Sequence, residues 1–375
     1  MLRLLLLACT LTLTLVGSAR AFETSARAAI VVDYRTGAVL FAKNADQSIP
    51  PASMSKLMTA YLVFERLKEG SLKLDDTLPV SERAWRIEGS EMFVKVGERV
   101  GVEDLLRGMI IQSGNDACIV FAEALAGSET AFAERANEKA RELGMSASHF
   151  KNATGLPDPE HVMSVRDLAT LAMHIIHDFP EYYKYYSERE FTFNNIKQPN
   201  RNPLLQAGVP GVDGMKTGYT KEAGYGLVAS AERDGRRLVN VIAGLDKIRE
   251  RRSEAEQVLE YGFREFQEYR LFQAGEAVAE ADVWQGSEPK VPLVADGVVG
   301  VTLSREARKG MVAKLRYESP VQAPVAKGQR LGTLEVTAPG ADLVSIPLVA
   351  GREVPRAGMF GRIAGAINYL VFGAG

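Results

Sequence analysis

The sequence predicts an α/β (α+β) domain, a sheet flanked by helices, followed by a smaller all-β sandwich domain and a C-terminal amphipathic helix. Three observations lead there. Apolar strand-like runs stand at both ends of the first 270 residues, around a helical middle. Beyond Leu271 the texture changes to short Val-rich runs punctuated by Gly and Pro. From Arg356 to Phe372 the apolar residues can share one helical face.

Bulk properties agree. A chain of 375 residues exceeds one ordinary core, so two domains are expected. Hydrophobic residues at 46% and charged residues at 25% describe a globular protein, and a net charge of −2 gives no basic field for nucleic acid. Residues 1–21 read as a signal peptide: Arg3, an apolar run Leu4 to Val16, and a small-x-small site at Ala19-Arg20-Ala21. The mature chain is expected to begin at Phe22 and to be exported. Of the two cysteines, Cys9 leaves with the signal, so Cys118 is alone and is read as a buried structural thiol.

Taken in order, Ala28 to Asp33 and Ala38 to Ala42 form a hairpin around Tyr34-Arg35-Thr36-Gly37. Pro50-Pro51 breaks the chain, and a helix starts near Ser53, with Leu57, Tyr61, Phe64 and Leu67 at helical spacing until Gly70. Helices are expected from Val102, over Ala117–Leu125, over Glu129–Leu143 and over Val165–His177. Tyr225–Ala231 and Arg237–Ala243 are strands joined by the turn Arg233-Asp234-Gly235-Arg236, and Ser253–Phe266 is a closing helix. Residues 22–270 then make the catalytic domain and 271–351 the β domain. Residues 352–375 make an in-plane membrane helix, with Arg352, Arg356 and Arg362 at its start and polar side.

Three strings carry chemistry. In Ser53-Met54-Ser55-Lys56, a hydroxyl and an amine three residues apart share one helical face. Ser53 is a nucleophile if Lys56 is a neutral base, which requires burial or a nearby cation; Lys216 is the expected cation. Ser113-Gly114-Asn115 offers a relay hydroxyl and an amide, although the same residues also suit a helix N-cap. Lys216-Thr217-Gly218, on an edge strand, can bind a carboxylate, with Gly218 permitting close approach; alone it also reads as a surface turn. An oxyanion hole needs two backbone N–H groups, for which Ser53 and Tyr219 are the candidates.

Longer stretches around these strings resemble the low-molecular-mass penicillin-binding proteins of the serine-type D-alanyl-D-alanine carboxypeptidase family. They are Pro51 to Thr59, Ser113 to Cys118, Asn152-Ala153-Thr154-Gly155-Leu156 and Val212 to Thr220. The resemblance implies a β-lactamase/transpeptidase-like catalytic domain. It implies acylation of Ser53 by the penultimate D-alanine of a peptidoglycan stem peptide, with Lys56 as base. Ser113 and Asn115 would form the relay and cradle, and Lys216, Thr217 and Gly218 would hold the terminal carboxylate. Arg201 and Arg251 resemble positions that help hold that carboxylate or shape the site. β-Lactams would acylate Ser53 and stay. The setting implied is periplasmic, on the outer face of the cytoplasmic membrane. Tyr219 stands where close relatives often carry histidine.

Other readings are a class A β-lactamase, a D,D-endopeptidase of the same family, and a catalytically idle wall-binding scaffold. The β domain and tail argue against the first, and the intact strings against the last. His149, His161, His174 and His177 lie in no nucleophile-type context, and neither a metal nor another cofactor is expected.

Overall fold

A computed structural model of the chain describes residues 22–359. The expected signal segment and most of the expected terminal helix lie outside these residues. The first domain is built on one antiparallel sheet of β1 (Ala28–Asp33), β2 (Val39–Lys43), β3 (Val212–Thr220), β4 (Gly224–Arg233) and β5 (Arg236–Leu245). The strand order is β2-β1-β5-β4-β3. The two ends of the domain meet where β1 pairs β5, with Ile30 opposite Val241.

All six residues of β1 are buried because both sheet faces are covered. Ala28, Ile30 and Val32 belong to one core and Ala29 and Val31 to the other, the period of two that a pleated strand imposes. Full burial of each Ile or Val contributes about 1.5–3 kcal/mol. Five helices supply the first core: α1 (Lys56–Lys68), α2 (Val102–Ile111), α3 (Asn115–Ala126), α4 (Glu129–Glu142) and α5 (Val165–Asp178). On the opposite face α6 (Ile248–Glu265) lays down Ala255, Val258 and Leu259.

The structure departs from the sequence reading in three places. The first long helix begins at Lys56, after a 3-10 turn over Ala52–Ser55 that holds Ser53. A hairpin of Glu190–Phe193 with Ile196–Pro199 was not expected. Its turn residues Asn194 and Asn195 have φ of 48° and 61°, as a primed two-residue turn demands, and asparagine tolerates them. The second domain is β-rich rather than purely β. A six-stranded and a two-stranded sheet enclose a core containing Leu293, Val301, Leu303 and Leu348. A short helix over Arg305–Lys309, capped by the Ser304 hydroxyl accepting from Ala307 N–H at 3.1 Å, interrupts them.

No linker separates the domains: the strand Phe266–Phe272 follows α6 directly. Arg236 Nη1 donates to the Phe266 carbonyl at 2.7 Å, and Thr36 meets Thr302 hydroxyl to hydroxyl at 2.9 Å.

Candidate active site

The site forms where the Ala52–Ser55 turn, the start of α3 and the edge strand β3 converge. Each approach is fixed by local backbone chemistry. Ala52 has φ of 49°, and the chain at Gly155 packs onto its carbonyl. A Cβ at Gly155 would lie 2.0 Å from Ala52 O and 2.6 Å from Ser55 Oγ, at a φ of +77° that side chains rarely adopt. At Gly218 a Cβ would lie 2.9 Å from Pro51 O, so glycine lets β3 lie against the turn. Gly155→Ala is therefore expected to displace the Ser53 turn. It should destabilise the protein by about 1–3 kcal/mol, measured by denaturant unfolding.

The Nζ of Lys56 lies 2.8 Å from Ser53 Oγ, 2.7 Å from Asn115 Oδ1 and 2.5 Å from the Thr154 carbonyl. Asn115 is oriented independently, because its Nδ2 donates to the Glu88 carbonyl at 2.7 Å. Its oxygen therefore faces Lys56. On the other wall Lys216 Nζ donates to Ser113 Oγ at 2.8 Å and to Thr217 O at 3.2 Å. Ser113 has φ of 63°, a left-handed backbone that costs about 1–2 kcal/mol for an L-residue. Both lysines are 2% exposed or less.

Burial pushes Lys56 down to about 8; Arg201 adds to the shift and Asp116 opposes it. Burial also holds Lys216 well below the ordinary lysine range, with further lowering by Lys56, Arg201 and Arg251. This revises the expectation that Lys216 is what neutralises Lys56. Desolvation leads, and the repulsion between the lysines is expressed on Lys216.

The remaining expected residues are close by. Thr217 is buried beside Lys216. Arg201 donates from Nη1 to Ser90 Oγ at 2.5 Å. The Arg251 guanidinium lies 5.8 Å from the Tyr225 ring centre, and Tyr225 stacks on Tyr219 at 4.2 Å. The sequence reading assigned no part to the Thr154 carbonyl or to the segment Glu88–Val94. The first had a signal, since Asn152 Oδ1 accepts from Thr154 N at 3.1 Å and Gly155 N at 2.7 Å, an Asx turn.

Cys118 is buried, and burial raises its thiol to about 12, consistent with a structural part. His174 and His177 both pair with Asp178, at 3.1 and 2.7 Å. His161 is buried, which lowers it to about 4. Among the described residues no group of three or more His, Cys, Asp or Glu is placed to hold a metal.

A family model described as D-alanyl-D-alanine carboxypeptidase matches residues 16–247. The chain belongs to the D-alanyl-D-alanine carboxypeptidase family. A second model, the C-terminal domain of penicillin-binding protein 5, matches residues 266–356. Among carboxypeptidase relatives, D-alanyl-D-alanine carboxypeptidase DacC of Escherichia coli is 41% identical over 348 residues, covering 91% of this chain and 87% of the relative. DacA of Haemophilus influenzae is 38% identical over 350 residues, covering 91% and 88%. The crystal structure of penicillin-binding protein 5 from Haemophilus influenzae superposes with a TM-score of 0.84 at 38% identity, covering 90% of this chain and 99% of that one. Carboxypeptidase membership and the β-rich second domain thus extend the likeness over nearly the whole described chain.

Proposed function

We propose that this protein removes the terminal D-alanine from peptidoglycan stem pentapeptides through an acyl-serine intermediate, and that β-lactams trap the same serine. The observation that carries the reading is the bonding of Lys56. Asn115 Oδ1 and the Thr154 carbonyl only accept hydrogen bonds. A neutral amine satisfies both with its two N–H groups and turns its lone pair to Ser53 Oγ, 2.8 Å away. Lys56 then takes the hydroxyl proton as Ser53 attacks the carbonyl of the penultimate D-alanine. The N–H groups of Ser53 and Tyr219 receive the developing oxyanion.

Lys216, Thr217, Arg201 and Arg251 hold the terminal carboxylate. Its negative charge favours the protonated form of Lys216, against the burial that lowers it. Ser113 passes its hydroxyl proton to the leaving amine and is reprotonated by the Lys216 ammonium that donates to it at 2.8 Å; hydrolysis then returns a water proton to Lys216 and the Lys56 proton to Ser53 Oγ. D-Alanine departs, and water cleaves the ester. The listeria penicillin-binding protein D2, solved in an ampicillin-bound form, is similar at 32% identity and a TM-score of 0.60, covering 65% of this chain and 99% of that one. That ampicillin complex supports β-lactam binding here.

The test is D-alanine release from a pentapeptide ending in D-Ala-D-Ala, alongside hydrolysis of a cross-linked dimer. Release from the pentapeptide with little cross-link cleavage is expected. The reverse preference would favour an endopeptidase; a Pseudomonas aeruginosa D-alanyl-D-alanine endopeptidase is 31% identical over 214 residues, covering only 55% of this chain. The amphipathic segment from Arg356 and the leader-like residues 1–21 support a periplasmic enzyme held at the outer face of the cytoplasmic membrane.

A further inference from the structure

Asp116 follows the cradle residue Asn115 and is 1% exposed. Its Oδ2 accepts from the N–H groups of Met92 at 3.0 Å, Phe93 at 2.9 Å and Val94 at 3.2 Å; Oδ1 accepts from Met92 at 3.0 Å and Ala117 at 2.9 Å. Three consecutive amides around one carboxylate form an anion nest. Met92, Phe93 and Val94 belong to no helix or strand, and Phe93 has φ of 69° while 42% exposed. A phenylalanine in that backbone region carries about 1–2 kcal/mol of strain, which the carboxylate offsets. A helix-capping part explains only the Ala117 bond; the other bonds leave the helix for the loop.

The same loop touches the site at two points. The Ser90 carbonyl accepts from Asn115 N at 2.6 Å and the Glu88 carbonyl from Asn115 Nδ2 at 2.7 Å. Ser90 Oγ accepts from Arg201. From the far side, Gln198 and Asn194 of the unexpected hairpin donate to the carbonyls of Glu91 at 3.0 Å and Phe93 at 2.8 Å.

We propose that Asp116 is a positioning residue whose carboxylate latches residues 88–94 in the nest, so that this loop aims the Asn115 amide at Lys56 and holds Arg201 at the cleft. The inference rests on the proposed reading of the site, since it acts through Asn115 and Arg201. Without the latch the loop relaxes from its strained turn, and the Glu88 and Ser90 carbonyls no longer fix Asn115.

Amide hydrogen exchange on the wild-type protein tests the latch without any substitution. The Met92, Phe93 and Val94 amides are expected to be protected on the order of 100-fold or more over an open loop; unprotected amides overturn the proposal. Asp116→Asn is expected to expose these amides while the core stays protected, and to slow penicillin acylation about 100-fold. The effect of Arg201→Ala is expected to shrink in the Asp116→Asn background, because the loop no longer presents Ser90. Additive losses, or acylation unchanged by Asp116→Asn, overturn the positioning role. A wild type that binds penicillin but releases no D-alanine sinks the proposed reaction and leaves these latch measurements intact.

Discussion

Ser53→Ala is expected to lose both D-alanine release and the covalent penicillin adduct. Deleting an activated nucleophile lowers turnover by roughly 10⁴–10⁶-fold, because the base and the oxyanion donors have nothing to act upon. The readout is intact mass after penicillin treatment: one drug added to the wild type and none to the variant. Stability should change little, since Ser53 is only partly buried and its hydroxyl meets Lys56, which keeps its bonds to Asn115 and the Thr154 carbonyl. An adduct that persists in Ser53→Ala places the nucleophile elsewhere and ends the assignment.

The second large effect is the dependence on Lys56 and on pH. If the neutral amine is the base, acylation rises with pH through a midpoint set by Lys56, which burial places near 8. Lys56→Met should cost about 10³–10⁴-fold and flatten that limb. Lys56 and Lys216 influence one another, so the observed midpoint belongs to the pair. The same shift makes a prediction for stability. The folded state releases the Lys56 proton near 8, the unfolded chain near the ordinary lysine value of about 10.4. Between those pH values the unfolded state binds more protons, so unfolding free energy from this group rises as pH rises through the window. Urea titrations from pH 7 to 10 check it: if Lys56→Met keeps the full slope, another group is responsible.

The three strings that converge in the candidate site were legible because their chemistry is local or strongly typed. Ser53 and Lys56 stand three residues apart, and helical periodicity in Leu57, Tyr61 and Phe64 places the element on which Lys56 sits. What could not be read depends on contacts between distant segments. The Ala52–Ser55 turn is 3-10 rather than α where Gly155 and Gly218 press on it, and neither neighbour is close in sequence. The chief cause of the Lys56 shift is burial by the whole helical cluster, which spacing cannot convey. Lys216 was visible as a cation, but its hydrogen bond to Ser113 crosses 103 positions. The hairpin at Asn194-Asn195 did leave a local signature, two adjacent asparagines between aromatic and β-branched residues, which went unread. The second domain was recognised by its Val-rich runs, whereas its short helix at Arg305 has too few residues for periodicity to register.

Strand β3 ends the five-stranded order, so among the described residues one flank of the Lys216-Thr217-Gly218 segment has no neighbouring strand. An open flank is ordinarily a hazard, a template on which another copy could aggregate. Here the Gly218 backbone packs on the turn that carries Ser53; on the proposed function an extended guest peptide completes the ladder through main-chain bonds and leaves its side chains largely unread. Selectivity then falls on the guest's terminus, where the cations wait. Such an enzyme would tolerate varied residues upstream of the cut while rejecting peptides whose last carboxylate is amidated.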